Sequence, residues 1–252
     1  MKCEVYVAYL ILLFLLALPE YVIAQNNDSF ADWLMPKVLA NLDVNEKVRR
    51  KFVTYDKIRT IDNLGRNPAL RKSTEKFQIY GRGSRSYEKL IWKNGQIQNN
   101  QRPKESMLDL HQILSERYVY SAQMPREKTK DGRWYFVIDF KPKAQDKLPW
   151  NNLEDEGINR LEGSLWIDIE TMDIIRMEGA IPQPFNGRKG IFFTYSVYEF
   201  RMNMEQEVFS GVMVPKKGEF IMHFDSWAIP ETYEKHTYTY ENHHDLRIQP
   251  QP

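Results

Sequence analysis

The histidines near the C-terminus are the side chains in this sequence whose type and spacing best suit metal chemistry. His236, His243 and His244 lie close together, and a metal ion would need two or three of them to converge with a carboxylate such as Glu241 or Asp245. Because neighbouring residues on a strand point to opposite faces, His243 and His244 would not reach one ion in an extended segment. The pattern favours exposed polar side chains, and no metal site is predicted.

Other residues that could catalyse a reaction lack suitable surroundings. Glu154, Asp155 and Glu156 could supply paired carboxylates, but they lie in a polar segment without an apolar pocket, which favours a solvated surface. The glycine-rich run 81–84 joins two predicted strands, so no helix N-terminus is expected there to bind an anion. The sequence contains no Gly-x-Ser-x-Gly, His-Glu-x-x-His or phosphate-binding glycine motif. We therefore predict a protein that is not an enzyme and that needs no cofactor.

The first 24 residues have the layout of a cleavable signal peptide. Lys2 precedes an apolar run at 5–18, and Val22 and Ala24 occupy the positions that a signal peptidase reads. As a helix this run would span about 21 Å, less than the roughly 30 Å of bilayer hydrocarbon, although a retained membrane anchor is the alternative. The sequence predicts a signal peptide at 1–24, one domain at 25–246 and a disordered tail at 247–252.

Composition excludes several classes of protein. The single cysteine, Cys3, falls in the predicted signal peptide, so the mature chain has no disulfide scaffold, cysteine nucleophile or thiolate metal site. The formal net charge of +1 argues against nucleic acid as a partner. Aromatic residues make up 13% of the sequence, which suits pleated sheets and an apolar binding surface.

The predicted elements are two helices and a series of strands. Apolar residues recur at three- and four-residue spacing from Phe30 to Leu42, which predicts a helix whose apolar face lies against a sheet. A second helix is predicted at 105–117, and Asn94-Gly95 predicts a hairpin turn. A polar loop with one helical turn is expected at 142–157. The predicted strands are 52–62, 73–80, 86–93, 118–124, 133–141, 161–169, 172–180, 191–202, 207–215, 219–227 and 232–241.

Several predicted strands carry apolar residues on both faces, as in 192–200. A sheet with water on one side would alternate more cleanly. The pattern suggests a curved sheet whose concave side holds helices or a ligand, although an ordinary barrel core gives a similar pattern. An apolar cavity binds a ligand with a free energy of about 25 cal/mol per Å² of apolar surface that is buried, and so it could hold an acyl chain without a catalytic group. The residues predicted to line it are Trp134, Phe136, Trp166, Ile175, Met177, Phe193, Tyr195 and Phe224.

Over most of the predicted mature chain, the sequence resembles the LolA-like family of periplasmic lipoprotein-sorting proteins. The most specific segment is Leu161-Glu162-Gly163-Ser164-Leu165-Trp166-Ile167-Asp168, followed by Ile174-Ile175-Arg176-Met177-Glu178-Gly179. The segments 52–55, 64–66, 87–95, 131–136, 140–143 and 212–215 are also similar in pattern. The resemblance implies a mainly β fold with helices, an open antiparallel β half-barrel of about eleven strands covered by helices.

The resemblance also implies a function. The implied function is that of a periplasmic carrier that holds a lipid or lipoprotein acyl chain and contributes to outer-membrane lipoprotein sorting or lipid transport. Such a carrier would act as a monomer and would meet membrane-protein donors or acceptors. The alternative is an envelope-stress sensor or regulatory module of the same fold with no transport role. The arginine that latches the lid in family carriers has two candidates, Arg59 and Arg82, and the polar insert at 142–157 departs from the family pattern.

Overall fold

The protein is described here from a computed structural model, which covers residues 29–65, 72–82, 85–99, 101–105, 110–128, 132–144, 153–189, 193–227 and 230–248. The predicted signal peptide at 1–24 and the last four residues of the predicted tail lie outside the described residues.

Helices occur at three places in the described residues. Helix α1 covers 29–52, α2 is Leu110–Arg117 and α3 is Leu153–Ile158. Leu34, Val38 and Leu42 are buried along one side of α1, as their spacing predicts. The predicted start of the second helix at Glu105 is wrong, because Glu105 pairs with β-structure instead. Within the described part of the chain, no helix is both long and apolar enough to cross a membrane.

The rest of the described chain forms one antiparallel sheet of thirteen strands. Its order is β4-β3-β2-β1-β13-β12-β11-β9-β8-β7-β6, with β10 paired to β11 and β5 paired to β3. The path does not close, which confirms the predicted open, mainly antiparallel fold. The strands are β1 Val53–Asn63, β2 Lys72–Arg82, β3 Arg85–Lys93, β4 Gln96–Ile97, β5 Lys104–Glu105, β6 Tyr118–Lys128, β7 Trp134–Pro142, β8 Glu162–Asp168, β9 Ile174–Ala180, β10 Phe185–Lys189, β11 Phe193–Phe209, β12 Val212–Ser226 and β13 Thr232–Asp245.

Two tight turns show where the strand predictions hold and where they fail. Asn94 and Gly95 have φ angles of 46° and 87° and form the predicted hairpin turn. Ser210 and Gly211, with φ angles of 50° and 74°, reverse the chain between β11 and β12. The single strand predicted at 207–215 is therefore wrong, and the segments predicted around it belong to two long strands.

The register shows which side chains share a face across the whole sheet. We call the face on which α1 lies the helix-bearing face. Residues paired across antiparallel strands point to the same side, so one row can be followed from β7 to β2. That row consists of Ile138, Leu165, Met177, Met204, Gly218, Tyr238, Arg59 and Glu75.

Two glycines bring β8 and β9 into close contact. Gly163 and Gly179 are directly paired, and a Cβ atom added at Gly163 would collide with the carbonyl oxygen of Glu178. A Cβ atom at Gly179 would lie 3.1 Å from Cζ of Phe140. The glycines of the two most specific sequence segments therefore allow the Phe140 ring to pack over the strands.

Candidate functional site

Helix α1 lies on an apolar part of the helix-bearing face. The ring of Phe30 in α1 meets Phe136 of β7 edge-on, with 5.0 Å between the ring centroids. Burial of such side chains against a sheet is the main source of stability for an amphipathic helix. We call this the helix-covered region, and its buried residues are Ala31, Leu34, Met35, Val38, Leu42, Leu110, Leu114, Tyr118, Ala122, Phe136, Ile138, Phe140, Leu161, Leu165, Ile167, Ile174 and Met177.

Polar contacts hold α1 at two points. In the turn between β8 and β9, one carboxylate oxygen of Asp173 accepts hydrogen bonds from the side-chain amides of Asn41 and Asn45, at 2.7 and 2.8 Å. Further along α1, the carboxylate of Glu46 accepts a hydrogen bond of 3.2 Å from the backbone N–H of Leu110 in α2. Glu46 thus satisfies a donor at the start of α2 and joins the two helices.

Next to the helix-covered region, the same face carries a strip of large flexible side chains. Met202 pairs with Gly179, and Met204 pairs with Met177, which places the strip on the helix-bearing face. Phe200 and Met202 also pack against the core beneath α1. All six side chains are only partly buried. This methionine–phenylalanine strip consists of Phe200, Met202 and Met204 on β11 and Phe220, Met222 and Phe224 on β12.

Beyond the methionine–phenylalanine strip, tyrosines and ion pairs lie among apolar residues, of which Phe77 and Ile79 are buried. We call this part the tyrosine–ion-pair region. It contains Tyr55, Lys57, Arg59, Glu75, Glu88, Lys93, Tyr238 and Tyr240. Phe220 connects the strip to it, because its ring meets that of Tyr238 edge-on with 5.5 Å between the centroids.

The charges in the tyrosine–ion-pair region compensate one another. Arg59 donates from Nε to Glu75 at 2.9 Å, Lys93 pairs with Glu75 at 2.9 Å, and Lys57 pairs with Glu88. Burial acts to raise the pKa of Glu75, but hydrogen bonds and charges from Lys93 and Arg59 outweigh it, so this pKa is lowered. These side chains form a partly buried polar surface beside an apolar one.

The pKa values of the three tyrosines are raised. Burial is the largest cause for Tyr55, Tyr238 and Tyr240, and for Tyr238 the nearby Arg59 opposes it. The hydroxyls therefore stay protonated at neutral pH and remain hydrogen-bond donors.

Arg59 and Arg82 were the two candidates for a latch, and the structure gives each of them a different position. Arg59 donates to Glu75 on the neighbouring strand, and Arg82 is exposed at the end of β2. The polar contacts that hold α1 to its surroundings include bonds to Asp173, to the backbone of Thr171 and to the start of α2.

Most of the predicted lining residues that can be placed lie on the helix-bearing face. Phe136 and Met177 are buried in the helix-covered region, and Phe224 belongs to the methionine–phenylalanine strip. Trp134 begins β7 and is 50% exposed. Tyr195 is buried on β11, where it pairs with Ser226. The structure thus spreads these residues along one face of the sheet.

The remaining three predicted lining residues have other positions. Trp166 pairs with Val137 and Arg176 on the opposite face, and the Arg176 guanidinium lies 4.8 Å from its ring centroid. Ile175 falls at a register shift between β8 and β9. Phe193 opens β11, and its side chain lies outside the described residues.

The sequence reasoning named Phe224 but missed the other five residues of the methionine–phenylalanine strip. A signal for them exists, because Phe200, Met202 and Met204 recur with a period of two, as do Phe220, Met222 and Phe224. The predicted break of the strand at Met202 obscured this alternation.

Among the depressions that open elsewhere on the described part of the sheet, two are relevant here. One, of about 470 Å³, crosses β8, β9, β11 and β12, and its lining includes Ser164, Glu178, Asn203 and Glu219. The other, of about 680 Å³, lies where β10, β11 and β12 end. Among the described residues, no group of three or more His, Cys, Asp or Glu side chains is arranged to hold a metal ion.

No protein-family model matches the chain, and no curated protein matches it. Among solved structures, a DUF1329 family protein from Desulfovibrio piger matches at 10% identity and a TM-score of 0.39, over 84% of this chain and 93% of that chain. A LolA superfamily protein from Nitrosomonas europaea matches at 12% identity and a TM-score of 0.35, over 84% of this chain and 94% of that one. The second belongs to the superfamily that the sequence resembles.

Proposed function

We propose that this protein is a periplasmic binding or carrier protein for a lipophilic ligand, a lipid or a lipoprotein acyl chain, and that it serves outer-membrane lipoprotein sorting or lipid transport without catalysing a reaction. The observation that supports this most directly is the methionine–phenylalanine strip. Six large apolar side chains lie in two paired rows and are only partly buried. Methionine side chains adapt to ligands of different shape, and each buried methylene group of an acyl chain contributes about 0.8 kcal/mol.

Helix α1 has the position of a cover in this proposal. Its apolar side packs on the helix-covered region, where Phe136 and Met177 lie, and Met202 continues that surface into the methionine–phenylalanine strip. A ligand that displaces part of α1 would replace the apolar contacts that α1 loses. An amphiphile would place its polar end against the tyrosine–ion-pair region, where Tyr238 and Arg59 offer hydrogen-bond donors.

A pair of substitutions at adjacent positions tests the proposal. Met222 points into the methionine–phenylalanine strip, whereas Ile221 pairs with Arg201 on the opposite face, and both side chains are partly buried. We expect Met222→Lys to remove lipid from the protein, because a lysine ammonium would have to be buried against the acyl chain. Ile221→Lys should retain the lipid.

The measurement is native mass spectrometry of the wild-type protein and both variants, purified from the periplasm of the natural host. Lipid masses on the wild type and on Ile221→Lys, but not on Met222→Lys, support the proposal. A wild-type protein that is consistently empty contradicts it, as does equal loss of lipid from both variants. An empty protein that captures a specific partner would favour the regulatory alternative.

A further inference from the structure

The second depression has a lining unlike that of the methionine–phenylalanine strip. Asn186 on β10 pairs with Ser196 on β11, and Ser196 pairs with Asp225 on β12, so these three side chains form one row across three strands. Neighbouring strands lie about 4.8 Å apart, which sets the spacing of the amide, the hydroxyl and the carboxylate. Thr194 lines the same depression of about 680 Å³.

An exposed tryptophan stands at the edge of this row. Trp227 directly follows β12, is 71% exposed and lines the depression. Its indole ring adds an aromatic surface to a lining that is otherwise mostly polar. An indole face is suited to stacking on the C–H groups of a flat, partly apolar ligand.

The walls of the depression are anchored in packed structure. On the opposite face of the same strands, the ring of Tyr195 lies across Gly187, where any added Cβ atom would collide with it, and Tyr195 is 3% exposed, which fixes β10 against β11. Asp225 is oriented by Tyr198, whose hydroxyl donates to the carboxylate at 3.1 Å. The polar row is thus held in place on paired strands, which favours a preformed site.

We propose that this depression binds a neutral saccharide. Asn186, Ser196 and Thr194 offer both donors and acceptors, as recognition of neighbouring hydroxyl groups requires. Among the lining side chains that the structure describes, Asp225 carries the only charge, and a carboxylate disfavours phosphate or other anions. The volume lies within the range of small-molecule sites. This site is separate from the methionine–phenylalanine strip, and the inference does not rest on the proposed lipid function.

Calorimetric titration of the full mature protein with saccharides tests the inference. The probes are tetrasaccharides of glucose in α-1,4 and β-1,4 linkage, of mannose and of N-acetylglucosamine, each raised to about 10 mM. We expect at least one to bind and Trp227→Ala to weaken that binding by about tenfold, because the stacking surface is lost. Ser196→Ala should weaken it by a smaller factor.

Trp134→Ala is the matched control, because Trp134 is 50% exposed and lies on a different strand. It should bind the saccharide like the wild type. Thermal unfolding verifies that the variants are folded. The inference is overturned if none of the four probes binds, or if Trp227→Ala binds as tightly as the wild type. Equal weakening by Trp134→Ala and Trp227→Ala would also overturn it.

Discussion

The helix-covered region and the tyrosine–ion-pair region lie on the same face of one continuous sheet, yet they are built from different chemistry. Under α1, residues such as Leu165 and Ile138 are fully buried among other apolar side chains. Across the methionine–phenylalanine strip, the same rows end in Arg59 and Glu75, and the residues of β1 after Val53 are only partly buried. The helical cover therefore lies over the larger cluster of buried apolar residues on this face.

The two regions stabilise the sheet in different ways, one by burial of apolar side chains and the other by ion pairs. Apolar burial beneath a helix contributes free energy in proportion to the area removed from water. A row of partly buried ion pairs contributes less, because desolvation of the charges offsets much of their attraction. The helix-covered region should therefore supply most of the free energy of unfolding, and the tyrosine–ion-pair region should tolerate changes better.

The largest expected effect comes from truncation beneath α1. Leu165 is 0% exposed on β8, and Leu165→Ala should lower the free energy of unfolding by about 2–5 kcal/mol because it leaves a cavity. Ile61→Ala, at a partly buried position near the tyrosine–ion-pair region, should cost about 1 kcal/mol. Urea unfolding followed by tryptophan fluorescence measures both. Equal losses for the two variants would show that the two regions do not differ in this way.

A smaller effect is expected at the centre of the ion pairs. Glu75→Gln should lower the free energy of unfolding by about 1–3 kcal/mol at neutral pH, because Arg59 and Lys93 lose a charged acceptor. The pKa of Glu75 is lowered in the folded protein, so its contribution is present above the ordinary value of 4.5. That contribution is lost as the pH falls through the lower folded value.

In acid, the free energy of unfolding of the wild type should therefore approach that of Glu75→Gln, which unfolding curves across a pH series would show. Glu241→Gln is the control, because Glu241 is an exposed carboxylate that pairs with Lys76 at 3.2 Å. It should change stability little at any of these pH values. If the difference in free energy of unfolding between wild type and Glu75→Gln does not become smaller in acid, Glu75 is not stabilising the fold through its charge.

The fold was more accessible from the sequence than the faces of its strands. Local signals sufficed for α1, with its spacing of Leu34 and Val38, and for the turn at Asn94-Gly95. The turn at Ser210-Gly211 was missed because apolar residues flank it on both sides and resemble one strand. Strand length and pairing there are decided by partners distant in sequence.

For the candidate site, the sequence was even less able to predict the face on which each strand residue lies. Trp166 was assigned to the lining, but the register places it with Val137 and Arg176 on the other face. A register shift at Ile175 changes the alternation within β9, and nothing local in the sequence marks that shift. Conversely, the period-two spacing of Met202 and Met204 was visible and needed only the correct length of β11.

The smallest effect concerns the turn between β8 and β9, where Asp173 holds α1. Asp173→Ala removes the acceptor for Asn41 and Asn45 and should cost about 1 kcal/mol, confined to the helix. Amide hydrogen exchange in α1 should then be about fivefold faster, while exchange in β1 and β13 stays unchanged. Thr171→Ala is the control, because Asn41 bonds only the backbone oxygen of Thr171 in that turn. If α1 must move to admit a ligand, Asp173→Ala should also take up lipid faster than Thr171→Ala, since less free energy opposes the displacement. Unchanged exchange in α1 would mean that the bonds to Asp173 do not hold the helix.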